Sequence, residues 1–183
     1  MLKRFISPMT KVLVTYGSRF GSTKEISEYM VGVIKEKGHA VDLIDAAKAP
    51  SSLDEYDVVL IGSGIQIGRW KNTALNFLKK HQEALREKRT GLFVSCVFGM
   101  YPDKREEARQ KFLVDVAEKY SPEPVGLGLF GSCLDFTGKK GLKYKITVNI
   151  MKKDLAEMGI EYDETYEFRD WPKIKEWTEE LVG

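Results

Sequence analysis

Apolar residues follow two rhythms along this chain. Short continuous runs, Val12-Leu13-Val14, the stretch YDVVLIG at 56–62 and GLFVSCV at 91–97, have the character of strands buried on both faces of a parallel sheet. Two further runs, at 40–44 and 125–130, read the same way. Between them the spacing turns helical: Ile26, Tyr29, Met30, Val33 and Ile34 recur at i, i+3, i+4, i+7 and i+8, and Gly38 closes the segment. Its start, Ser22-Thr23-Lys24-Glu25, matches a capping box in which Ser22 caps the free amides and Glu25 reaches back. Helices are also predicted over 73–88, over 103–120 and from residue 170, where Pro172 sits in the first turn and Ile174, Trp177 and Leu181 face inward.

Strands alternating with helices predict a doubly wound α/β sheet, because parallel neighbours need right-handed helical crossovers that cover both faces. Ligands bind such sheets at the carboxyl ends of the strands, where the winding direction switches. The loops at 15–23, 62–72 and 96–103 are therefore expected to form the site. The whole chain, 1–183, is expected to be one domain, with 1–9 a loose N-terminal extension and 132–170 an insertion before the last helix. Within that insertion Tyr144, Ile146, Val148, Ile150, Met151, Leu155 and Met158 are mixed with lysines, the pattern of a basic amphipathic helix. Such a face packs on the protein's own sheet, on a second subunit or on a membrane.

A formal charge of +2 and a pI near 8.4 are too close to balance to indicate a nucleic-acid surface. Cys96 and Cys133 are far apart and form no C-x-x-C pair, so neither a disulfide framework nor a metal site is expected, and a reducing cytoplasm is the expected compartment. The first ten residues hold too short an apolar stretch for a signal peptide or a membrane span. His39 and His81 stand beside no nucleophile or ligand group, and no catalytic acid or base is identified.

The chemistry is concentrated in VTYGSRFGST, residues 14–23. Gly17 and Gly21 permit tight turns, and Ser18, Ser22 and Thr23 add hydroxyl donors to the amides of the following helix N-terminus. A phosphate is the expected occupant, the alternative being an ordinary strand-to-helix turn capped by Ser22. GSRFGSTK lacks the spacing of a Walker loop, and the dinucleotide fingerprint G-x-G-x-x-G is absent there. The acidic residues of a response-regulator receiver are replaced by Tyr16-Gly17 and Gly62-Ser63. GSGIQIGRWKN and SCVFGMYPDK supply glycines that let amides approach a planar ligand and aromatic groups that cover its face, so a ring attached to the phosphate is expected. Trp70 either stacks on that ring or packs on the next helix, and Phe98 and Tyr101 share the ambiguity. Cys96 reads most simply as a small buried residue at a strand end.

TYGSRFGST resembles the phosphate loop of the flavodoxin-like family. TYGSRFGSTKEIS, YDVVLIGSGIQIGRW, PDKREEARQKFL and YEFRDWPKI resemble, more narrowly, its menaquinone-dependent protoporphyrinogen oxidase branch, over nearly all of residues 11–182. The resemblance implies a flavodoxin-like three-layer doubly wound fold with a five-stranded parallel sheet in the order 2-1-3-4-5, and FMN as cofactor. By position it implies that Ser18, Arg19, Phe20, Gly21, Ser22 and Thr23 surround the FMN phosphate. Ser63, Gly64, Ile65, Gln66, Ile67 and Gly68 would follow one side of the isoalloxazine, and Ser95, Cys96, Val97, Phe98, Gly99 and Tyr101 its edge and face. Gly17 departs from the family, which often has another hydroxyl residue there. Arg19 is expected in solvent, since such loops usually manage with amides and hydroxyls.

The implied function is that of an FMN-binding oxidoreductase resembling one that oxidises protoporphyrinogen IX, a step of heme biosynthesis, and passes the electrons to a quinone. In that branch the insertion is associated with the substrate and membrane side. Two alternatives stand beside it: an electron carrier between protein partners, and an NAD(P)H-dependent quinone reductase. An acidic rim around the flavin would favour the carrier. The expected partner is a small redox substrate, porphyrinogen or quinone, and not nucleic acid; peripheral membrane contact and a homo-oligomer both stay open.

Overall fold

The computed structural model describes residues 9–120, 123–137, 141–150, 152–157, 159–161 and 164–183. The extension expected at 1–9 lies outside them except for Met9, and so do Met151 and Met158 of the amphipathic pattern. Strands β1 (Lys11–Gly17), β2 (Ala40–Asp45), β3 (Val58–Gly64), β4 (Arg89–Ser95) and β5 (Gly126–Phe130) form a parallel sheet in the order β2-β1-β3-β4-β5, as the resemblance implies. Val14 lies opposite Leu43 on one side and Leu60 on the other. The chain leaves β1 for the edge strand β2 and then crosses back to β3, so the winding reverses at β1 and β3 and their carboxyl ends open a crevice.

Both faces of the sheet are covered, which explains the unbroken apolar runs. Val12 and Val14 point to one face, where they pack with Ile26, Met30 and Ile34 of α1 (Ser22–Glu36) and with Ile174 and Leu181 of α8 (Trp171–Val182). Leu13, Val59 and Ile61 point to the other, against Phe77 and Leu78 of α2 (Asn72–Lys80) and Leu85 of α3 (Gln82–Arg86). The helix expected over 73–88 is thus two helices. They meet at His81, whose backbone leaves the helical region and whose ring packs on Phe77 at 4.6 Å.

The helix expected over 103–120 consists of α4 (Pro102–Arg109) and α5 (Asp115–Tyr120) joined by a π-helical turn at Gln110–Val114. That turn brings both Phe112 and Leu113 into the core and leaves the Phe112 carbonyl to accept a hydrogen bond from Trp70 Nε1 at 2.7 Å.

The segment from 132 onward holds two strands that were not expected, while the amphipathic stretch expected there forms two short helices. Two three-residue strands, β6 (Cys133–Asp135) and β7 (Thr165–Glu167), pair antiparallel, and α6 (Leu142–Ile150) and α7 (Lys152–Glu157) lie between them in sequence. Leu134, Leu155 and Ile160 form a separate small core with Val97, just beyond β4. Arg169 ties the segment to α1: its nearly buried guanidinium pairs with Glu167 and Glu25 and lies 4.6 Å from the Trp171 ring. Among the described residues no helix is long and apolar enough to cross a membrane.

Candidate functional site

The three loops meet, as expected, in one cleft of about 650 Å³ at the carboxyl edge of the sheet. Ser18, Arg19, Phe20, Ser22 and Thr23 line it from the first loop. Gly21 takes a φ of 108°, a conformation that favours glycine, and serves as the N-cap of α1 with no side-chain cap. The expected capping box does not form. Ser22 is instead the first helical residue, and its Oγ accepts from the Cys133 amide at 3.1 Å, while the Glu25 carboxylate is drawn to Arg169. Ser18 Oγ accepts from the Gly21 amide at 3.2 Å, which closes the turn. Because no side chain caps α1, its first amides suit an anion.

Gly17 has a steric reason. A Cβ there would lie 3.0 Å from Lys71 Cβ and 3.1 Å from Ala74 Cβ and Thr73 Oγ1, so the hydroxyl side chain the resemblance leads one to expect would crowd the start of α2 and require it to give.

Gly64, Ile65, Gln66, Ile67 and Gly68 line the cleft from the second loop. Gln66 and Arg69 exchange backbone hydrogen bonds at 3.1 and 3.2 Å across a tight turn with Ile67 (φ 50°) and Gly68 (φ 66°) at its tip. A β-branched residue at positive φ is strained, and Ile67 is also exposed, so this tip is held in an unusual state at the mouth of the cleft. Ser63 does not line the cleft; it is fully buried, and its Oγ accepts from the Lys71 amide at 2.8 Å, bracing the loop from behind. Trp70 is buried in the core and also lines the cleft, and its Nε1 is taken up by the Phe112 carbonyl.

From the third loop Ser95, Cys96, Val97 and Phe98 reach the cleft. Burial pushes the Cys96 thiol up from its ordinary value, which keeps it protonated. Gly99 and Tyr101 do not line the cleft. A Cβ on Gly99 would meet Leu129 at 2.8 Å, and Tyr101 packs with the small core around Val97 and Leu134, where burial raises its phenol pKa.

The far wall is built by residues not expected in the site, although the resemblance associates their segment with the substrate side. It comes from Ser132, Cys133 and Leu134 and, across α6 and α7, from Tyr144, Val148, Ile150 and Leu155. The Tyr144 hydroxyl accepts from the Asp135 amide at 2.9 Å. Tyr144, Val148 and Leu155 stand at i, i+4 and i+11 in the amphipathic pattern, so a cleft-facing stripe was visible but its destination was not. Arg69, Lys71 and Asn72 at the entry to α2 also line the cleft, and Lys71 Nζ donates to the Ser18 carbonyl. Among the described residues no cluster of His, Cys, Asp and Glu could hold a metal ion.

A family model described as "Flavodoxin domain" matches residues 13–157. Protoporphyrinogen IX dehydrogenase (quinone) of Escherichia coli K12 is 22% identical over 173 residues, 94% of each chain. Oxidised flavodoxin 1 of Bacillus cereus aligns with a TM-score of 0.50 and 20% identity over 80% of this chain and 98% of its own. Flavodoxin 2 of the same organism aligns with a TM-score of 0.51 and 18% identity over 81% and 99%.

Proposed function

The chain belongs to the flavodoxin family, and from that premise we propose that the cleft binds FMN and that the protein is an oxidoreductase passing electrons from a small organic substrate to a quinone. The observation that carries the proposal is the N-terminus of α1, which has no side-chain cap and lies beside Ser18 and Thr23 in a cleft walled on its far side by the segment after residue 132. In this reading Ser18, Thr23 and the first amides of α1 hold the phosphate. Ile65 to Gly68 and Val97 to Phe98 flank the isoalloxazine, and Tyr144, Val148 and Leu155 shield it from water. Bound FMN would supply the redox chemistry, while the chain orients it.

The similarity to the Escherichia coli dehydrogenase supports protoporphyrinogen IX as the substrate. An enclosing wall suits a small substrate better than it suits a protein docking on an open flavin edge. The rim also speaks against an electron carrier with an acidic docking surface: Lys104 lies 5.1 Å over the Phe98 ring, and Lys111 Nζ lies 3.7 Å from where a Cβ on Gly68 would be. Exposed Leu142 and Ile146 beside Lys145 on α6 favour contact with a membrane surface, where apolar quinones dissolve, by a protein otherwise in the cytoplasm.

The test is an absorbance spectrum of the purified protein with added FMN, followed by anaerobic protoporphyrinogen IX and then a quinone. Bound flavin that bleaches with the porphyrinogen and recovers with the quinone is the expected result. Flavin indifferent to the porphyrinogen would redirect the proposal to a carrier or an NAD(P)H-dependent reductase, and absence of flavin binding would overturn it.

A further inference from the structure

We infer that Lys71 is the cation that binds the phosphate of FMN, an assignment that rests on the FMN site proposed above. Among the described residues three cations line the cleft, Arg19, Arg69 and Lys71, and no Asp or Glu does. Arg19 and Arg69 are exposed, whereas Lys71 is half-buried. A partly desolvated charge acts more strongly on a nearby anion than one surrounded by water.

The position of Lys71 is set at both ends. Its amide donates to the buried Ser63 Oγ at 2.8 Å, and its Cβ stands where a side chain on Gly17 would be. At the other end Nζ donates to the carbonyl of Ser18, in the loop that carries the Ser18 hydroxyl and leads to the bare start of α1. The ammonium is therefore held against the loop that carries the donors assigned to the phosphate. An ammonium has three N–H donors. One is engaged by the Ser18 carbonyl, and among the described residues no carboxylate pairs with Lys71. The remaining donors can bind phosphate oxygens without breaking an ion pair. The glycine at position 17 acquires a second role in this arrangement, since its missing side chain is what lets the lysine stem approach β1.

Lys71 gives the protein a means of telling FMN from riboflavin, which has the same ring and lacks the phosphate. The test compares the wild type with Lys71→Met, which keeps the apolar stem, and Lys71→Arg, which keeps the charge. Each is stripped of flavin and titrated with FMN and with riboflavin, following flavin fluorescence at neutral pH. Lys71→Met is expected to weaken FMN binding roughly ten- to a hundredfold, the range of a hydrogen bond to a charged group. Its riboflavin affinity should stay unchanged, and Lys71→Arg should keep most of the preference for FMN.

Parallel loss of FMN and riboflavin affinity in Lys71→Met would overturn the assignment by showing a structural role, and so would an unchanged FMN affinity. A wild type that binds neither flavin would overturn the FMN reading itself. The two failures are thus distinguishable, because only the second appears in the unmodified protein.

Discussion

The ring of Tyr144 meets the ring of Phe20 edge-on with centroids 5.0 Å apart, so α6 rests directly on the first loop of the cleft. Tyr144 is nearly buried, and its hydroxyl fixes the Asp135 amide at the end of β6. Replacing Tyr144 by Ala removes both contacts and should cost about 3 kcal/mol of stability. Tyr144→Phe keeps the ring but strands the amide, at about 1 kcal/mol. Denaturant unfolding of the two variants separates the contributions.

An acidic side chain in the first loop should repel a phosphate. Ser18→Glu or Thr23→Glu is expected to weaken FMN binding by well over tenfold, that is, by more than about 1.4 kcal/mol. Equal affinity in either variant, measured by flavin titration, would count against the site.

The close approach at Gly17 makes a different prediction. Gly17→Ser adds atoms against Lys71, Ala74 and Thr73, and overpacking of this kind should destabilise the fold by about 1 to 3 kcal/mol. A serine accepted without a shift in the unfolding midpoint would mean that the start of α2 yields easily.

Arg169 predicts a dependence on pH. Burial works to raise the Glu167 carboxyl, but hydrogen bonds and charge from Arg169 outweigh it and hold the group below its ordinary value of 4.5. A carboxylate with a depressed folded pKa contributes stability above its unfolded pKa, and loses it as the pH falls through the folded value. Wild type should therefore be more stable than Arg169→Met at neutral pH, and the gap should narrow below pH 4.5. The contribution from Glu167 is modest because its side chain is 42% exposed. Unfolding curves across the acidic range check the sign.

The two cysteines should differ in reactivity. Cys96 is 2% exposed, with its thiol held neutral by burial, while Cys133 is only half-buried at the far wall. Alkylation of the native protein is expected to modify Cys133 first, and bound FMN should slow it. Peptide mass spectrometry reads both results.

The sequence by itself determined the α/β alternation, the three loops that meet at the cleft and the glycine-bearing turn at 14–23. Those features are written locally: Val12 to Val14 and Val58 to Ile61 are apolar without a break because both faces of their strands are covered, and α1 repeats its apolar residues at helical spacing. The order of the strands came from the family resemblance, since no local pattern says which strands lie side by side. Tertiary structure alone decided the far wall of the cleft. Three residues in β6 and three in β7 are too few to show a period, and the meeting of Phe20 with Tyr144 joins positions more than a hundred residues apart. It also decided the start of α1, where Ser22 and Glu25 have the letters of a capping box. Partners distant in sequence, Cys133 and Arg169, compete for both side chains, and that competition leaves the helix end without a side-chain cap.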